Sequence, residues 1–167
     1  MGDVLRLRCS KCKKEYSVWW GIGFAFPTVY EKIMKAAKNG EYGQEWKTLT
    51  TTTKFVAIDA EDYVYLCGKC NHWNNEPGLS LYVPKDLEEI KRKYKLDTVD
   101  ELEERDFVMS YDLAEEYKIL KRRIHKCEKC GGIMKRLKEK EIFHLPCPHC
   151  GGAPMEGWEN VYPINWD

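Results

Sequence analysis

The chain has 167 residues, of which 43% are hydrophobic, 13% aromatic and 32% charged. Its 27 basic and 27 acidic side chains cancel to a formal charge of zero. No run reaches about 18 apolar residues and the opening MGDVLRLRCSKC lacks the apolar centre of a secretory signal, so a cytoplasmic protein without membrane contact is expected.

In chain order, Val4 to Cys9 alternates apolar and charged residues and reads as a strand, and Tyr16, Val18 and Trp20 continue that alternation beyond a CxxC. Pro27 suits the first turn of a helix, whose apolar stripe would be Val29, Ile33, Met34 and Ala37 and whose C-cap would be Gly40. A short second helix is expected over 43–49. The β-rich TTTTKFVAID (50–59) and YVYLC (63–67) read as a hairpin that delivers Cys67, and LSLYV (79–83) as the strand that follows the next knuckle.

Residues 84–125 read as helical. PKDLEEIKRKY opens with Pro and acids and closes with bases, in agreement with the helix dipole. Thr98 and Glu101 make a capping box. SYDLAEEYKILKRRI would place Leu113, Tyr117, Leu120 and Ile124 on one helical face. The segment 153–167 is an aromatic tail expected to pack back on a domain.

All eight cysteines fall in CxxC pairs: Cys9 with Cys12, Cys67 with Cys70, Cys127 with Cys130, and Cys147 with Cys150. In a reducing compartment such pairs read as metal ligands rather than disulfides. A CxxC turn aims two sulfurs at one point, and two turns complete a tetrahedral four-cysteine shell, so four turns imply two metals. Eight thiolates and two Zn2+ would bring the net charge to about −4. CEKC, sixteen residues and CPHC match zinc-site spacing, which pairs Cys127 and Cys130 with Cys147 and Cys150. Cys9 and Cys12 then fall to Cys67 and Cys70 by elimination, across 54 residues. The alternative is a crossed pairing, with an N-terminal knuckle sharing its metal with a C-terminal one. The residue after each pair, Lys13, Asn71, Gly131 or Gly151, is expected at positive φ, with Lys the poorest fit.

CEKCGG…CPHCGG and the other two knuckles resemble the zinc-ribbon, or rubredoxin-like, group of small metal folds, over well under half the chain. The resemblance implies a fold and a metal, two Zn2+ with iron possible at one or both sites, and no particular role. The expected architecture is α+β. A first ribbon occupies 1–83 with an insertion at 17–62, a helical connector 84–125, and a second ribbon with the aromatic tail 126–167.

Two further features carry functional expectations. From Lys118 to Lys140 there are ten Lys or Arg and two acids, and Lys118, Lys121, Arg122, Arg123, Lys126, Lys135 and Arg136 are the candidate nucleic-acid contacts. The bland reading is that bases belong at a helix C-terminus and beside an anionic four-thiolate centre. WWGIGFAFP sets Trp19, Trp20, Phe24 and Phe26 around a glycine loop, as a partner-binding patch or as ordinary core. No HExxH, P-loop or nucleophile elbow is present, and a filled shell of four thiolates leaves no position for a catalytic water. The expected role is a non-enzymatic module with structural zinc, serving as an adaptor for a macromolecule, a protein before a nucleic acid. Nucleic-acid binding is the alternative and a rubredoxin-like electron carrier the third reading. No small-molecule substrate is evident.

Overall fold

The computed structural model describes residues 2–21, 25–103 and 107–152. Mixed helix and antiparallel sheet give the expected α+β class. The elements run β1 (Gly2–Arg8), β2 (Glu15–Gly21), α1 (Phe26–Asn39), α2 (Gln44–Thr52), β3 (Ala57–Ile58), β4 (Asp62–Cys67), β5 (Trp73–Pro77), β6 (Leu81–Pro84), α3 (Leu87–Tyr94), a 3-10 turn (Asp100–Leu102), α4 (Ser110–Glu116), β7 (Tyr117–Lys121), β8 (Met134–Arg136) and α5 (Glu139–Ile142). Among the described residues no helix is long and apolar enough to cross a membrane.

The chain packs as two compact units whose boundaries do not follow the expected breaks at 83/84 and 125/126. Unit 1 collects Met1–Phe24, Asp62–Pro77 and Ile124–Asp167. Unit 2 collects Ala25–Glu61 and Gly78–Arg123.

Unit 1 is built on a five-stranded sheet in the order β1-β2-β4-β5, with β8 also on β4. β1 and β2 form an unbroken antiparallel hairpin from Gly2↔Gly21 to Arg8↔Glu15, closed by an Arg8–Glu15 ion pair at 3.8 Å. The period-2 alternation buries Leu7 and Val18. β2 meets β4 only at Gly21↔Asp62, and Asp62 also pairs with Pro77 of β5. These three positions form one row of the sheet, and it is there that the chain leaves unit 1. The opposite end of β4 carries Cys67, so both excursions start away from the knuckle.

Unit 2 holds the three-stranded sheet β3-β6-β7 and the helices α1 to α4. α1 starts with Pro27 in its first turn and ends at Gly40, left-handed at φ 90° with its amide on the Ala37 carbonyl. The buried stripe is Phe26, Tyr30, Ile33 and Ala37, rotated from the expected one, so that Val29 is exposed.

Two expected elements change type. The threonine run reads as strand in the sequence, yet Thr50, Thr51 and Thr52 extend α2. Their hydroxyls donate to the carbonyls of Trp46, Lys47 and Thr48 at 2.7, 2.7 and 2.8 Å, which satisfies them inside the helix. Only Ala57–Ile58 remains as strand. Conversely, the expected helix through Ile124 stops at Glu116, and Tyr117–Lys121 becomes β7. The strand wins because β6 has an open ladder edge that β7 fills, from Val83↔Lys118 to Leu81↔Lys121. Lys85 Nζ caps the helix end by donating to the carbonyls of Ala114 and Glu115 at 3.1 and 2.8 Å. Residues 84–125 are therefore not a helical connector throughout. Thr98 does donate to Glu101, at a 3-10 turn rather than a helix.

Leu81 is fully buried on the central strand of the unit 2 sheet. Leu81→Ala is expected to cost about 2–5 kcal/mol through lost burial and the cavity left behind. The measurement is the shift in urea midpoint, with the metal content of the folded protein unchanged.

Candidate metal centres

Each knuckle is the same backbone device. The first cysteine's amide bonds to the carbonyl five residues on, and the amide four residues on bonds back to the first cysteine's carbonyl. For Cys9 the partners are Lys14 and Lys13, for Cys67 His72 and Asn71, for Cys127 Gly132 and Gly131, and for Cys147 Gly152 and Gly151. The turn needs a left-handed residue after the second cysteine, and φ is 60° at Lys13, 58° at Asn71, 69° at Gly131 and 61° at Gly151. All four match the expectation, including the unfavourable lysine.

The sulfurs converge in two groups, and the pairing is crossed. Cys9, Cys12, Cys147 and Cys150 form one shell, and Cys67, Cys70, Cys127 and Cys130 the other. Within each, all four Sγ atoms lie within 4.8 Å of one another. Cys9–Cys150 and Cys12–Cys147 approach to 3.6 Å, and Cys67–Cys130 and Cys70–Cys127 to 3.5 Å. A tetrahedral ion with bonds of about 2.3 Å sets its sulfurs about 3.8 Å apart, whereas a disulfide needs about 2.05 Å. The cysteines are free thiols in a geometry that fits a metal ion. The expected pairing of neighbours along the chain, Cys9–Cys12 with Cys67–Cys70 and Cys127–Cys130 with Cys147–Cys150, is thus corrected.

The sheet explains the crossing. β8 follows the third knuckle and pairs with β4, with Met134 opposite Cys67, which seats that knuckle against the second. The chain then continues past Val64, whose carbonyl accepts from Leu137. Leu137, Ile142 and Leu145 enter the cluster of Leu7, Val18, Val64 and Trp73, which carries the fourth knuckle to the first. The Trp73 indole donates to the Pro146 carbonyl at 3.0 Å.

Space behind the sulfurs is tight and favours glycine. A Cβ on Gly132 would sit 3.1 Å from Cys67 Sγ, and one on Gly152 3.2 Å from Cys150 Sγ. This accounts for the second glycine of each Gly-Gly.

Without metal, the pKa values of the thiols in each shell are pulled apart, and in the first shell Cys9 is lowered, chiefly by the Cys12 amide. Burial pushes Cys147 up, but the Tyr16 hydroxyl, 3.4 Å away, and the amides of Cys150 and His149 outweigh it and bring the thiol to about 6. Cys67 is lowered to about 7 by the amides of Cys70 and Lys69. Cys12 receives a lowering bond from the Lys14 amide, yet burial and its thiol neighbours raise it to about 11. Cys70 rises to about 12 in the same way, against the His72 amide. The contact with Cys147 raises Tyr16 to about 12, so its hydroxyl stays a donor at neutral pH.

The basic run is divided between the two units. Lys118, Lys121, Arg122 and Arg123 belong to unit 2, and Lys126, Lys135 and Arg136 to unit 1. Lys121 pairs with Glu45 at 2.6 Å, and Lys135 with Glu141 at 3.3 Å. Arg123 donates to the Tyr42 carbonyl and lies over Trp46, and Arg136 lies over Tyr63. Lys118, Arg122 and Lys126 are exposed. The aromatic set also divides. Trp19 is exposed and Trp20 half-buried against Tyr63 in unit 1, Phe26 is buried beside Tyr30 and Phe107 in unit 2, and Phe24 lies outside the described residues, as does the 153–167 tail.

Tyr16 is a residue whose role only the fold reveals, because it is 131 positions from the sulfur it contacts. His125 is another: it is buried, stacked on Tyr65 at 3.8 Å, with Nδ1 2.8 Å from Glu76. No family model, curated protein or solved structure matches the chain.

Crossed pairing makes a counting prediction. Cys9→Ser with Cys147→Ser is expected to lose one metal per chain, no more than either single change, whereas Cys9→Ser with Cys127→Ser loses both; native mass spectrometry reads the count. Tyr16→Phe is expected to weaken the Cys9 shell by about 10–100-fold and leave the Cys67 shell unchanged, as read by competition with a chromophoric chelator.

Proposed function

We propose that this is a non-enzymatic zinc protein whose two ions are structural and whose role is to present surfaces to another macromolecule, a protein. The observation that carries this is the closed donor set: four thiolates per shell leave no ligand position for water or substrate. An ion held by such a set contributes its binding free energy to folding, because the unfolded chain has no preformed site. Zinc is preferred over iron because a redox-inert ion suits a closed shell whose task is to hold the chain together. Trp19, exposed on β2, is the natural anchor for a protein partner, because tryptophan is enriched where interfaces bind tightly.

Nucleic acid is the weaker reading. Four of the seven candidate bases are engaged by protein groups, and the seven are shared between two units.

Purified protein is expected to be colourless with two zinc ions per chain, and visible charge-transfer absorption from iron would overturn the structural-zinc reading. A photo-crosslinking residue at Trp19 is expected to capture protein. Anisotropy of labelled DNA and RNA is expected to show no micromolar binding at low salt, and binding that weakens steeply with salt would give nucleic acid first place.

A further inference from the structure

The two shells share their chemistry and differ in their surroundings. Cys9 and Cys147 are members of a core cluster with Leu7, Val18, Val64 and Trp73, and Cys12 and Cys150 pack against the same cluster. All four cysteines of that shell therefore touch apolar cover, two of them buried and two half-buried. In the other shell, Cys67 and Cys127 sit in a cluster with Tyr63, Tyr65 and Met134, and Cys130 packs against it. Cys70 does not share that cover. Of the eight cysteines it alone is exposed. The turn around it is open as well, since a Cβ on Gly68 would meet nothing within 4 Å.

We propose that Cys70 is an oxidant-reactive corner of the Cys67 shell, at which a peroxide converts Cys70 and Cys127 to a disulfide and frees one of the two ions. Thiolates react by access as well as by charge, and metal binding makes all eight sulfurs thiolates, so access decides between them. The Cys70 thiolate takes an oxygen from the peroxide, the O–O bond breaks, and the departing hydroxide takes a proton from solvent. The resulting sulfenic acid is attacked by the thiolate of Cys127, whose Sγ lies 3.5 Å from that of Cys70. The S–S bond forms and the second hydroxide leaves with another proton. Two electrons pass from the two sulfurs to the peroxide, and two waters result. Cys67 and Cys130 alone then face the ion, and two donors hold it far more weakly than four. The Cys9 shell keeps its metal because each of its cysteines is buried or half-buried.

This rests on both shells holding metal, and the experiment separates the two claims. Native mass spectrometry of the zinc-loaded wild-type chain first counts the ions; fewer than two would sink the metal reading itself. The same sample then receives hydrogen peroxide with a chromophoric zinc chelator present. The expected result is release of one of two ions in a distinct first phase, with the first disulfide mapped by peptide mass to Cys70. Limiting iodoacetamide is expected to label Cys70 before any other cysteine. Simultaneous loss of both ions, a first disulfide among Cys9, Cys12, Cys147 and Cys150, or first alkylation elsewhere would overturn the proposal. No substituted chain has to fold for either measurement.

Discussion

The rung that sets Met134 opposite Cys67 governs the rest of unit 1. A knuckle supplies two ligands and has no preference for its mate, so something outside the knuckle must choose. Here β8 adds to the free part of β4 beyond its single rung with β2, and the third knuckle is drawn beside the second. Once that happens, the sixteen residues from Cys130 to Cys147 must cross the sheet rather than fold back as a local hairpin. Apolar burial of Leu137, Ile142 and Leu145 directs the crossing, and the fourth knuckle arrives at the first.

The same arrangement lets the unit that holds the cysteine shells carry large insertions. Gly21, Asp62 and Pro77 stand in one row at the sheet end away from Cys67, so the chain can leave and return without disturbing a sulfur. The insertions are not idle loops; they carry a sheet and core of their own in unit 2. One cysteine shell joins residues near the start of the chain to residues near its described end, and the other joins its middle to its last third. An ion held in either shell would close a loop far longer than a local ribbon does, and would restrict the unfolded chain more.

Burial then distinguishes two chemically identical shells. Tyr16 and Trp73, at 5.9 Å edge to face, stand beside the Cys9 shell, and the Tyr16 hydroxyl reaches one of its sulfurs. The Cys67 shell has the tyrosine cluster on one side and solvent at Cys70 on the other. Stability and reactivity can differ between sites built from the same ligands because the low-dielectric cover differs.

The sequence by itself determined the candidate ligands and the local turns. Eight cysteines at CxxC spacing, the glycines after two of the pairs, Pro27 and Gly40 around α1, and the α+β class all act over a few residues, where spacing and φ preference decide the outcome. The tertiary structure decided the pairing, because sixteen residues of separation fit a local ribbon as well as they fit a crossing, and only the β4–β8 ladder distinguishes them. It decided that Tyr117–Lys121 is strand, since a helical period was outweighed by the open edge of β6. It also divided the basic run and the aromatic stretch between two units, where adjacency in the chain had suggested single surfaces. Local chemistry is written in neighbouring residues, whereas which distant surfaces meet is set by ladder hydrogen bonds and burial summed over the whole chain.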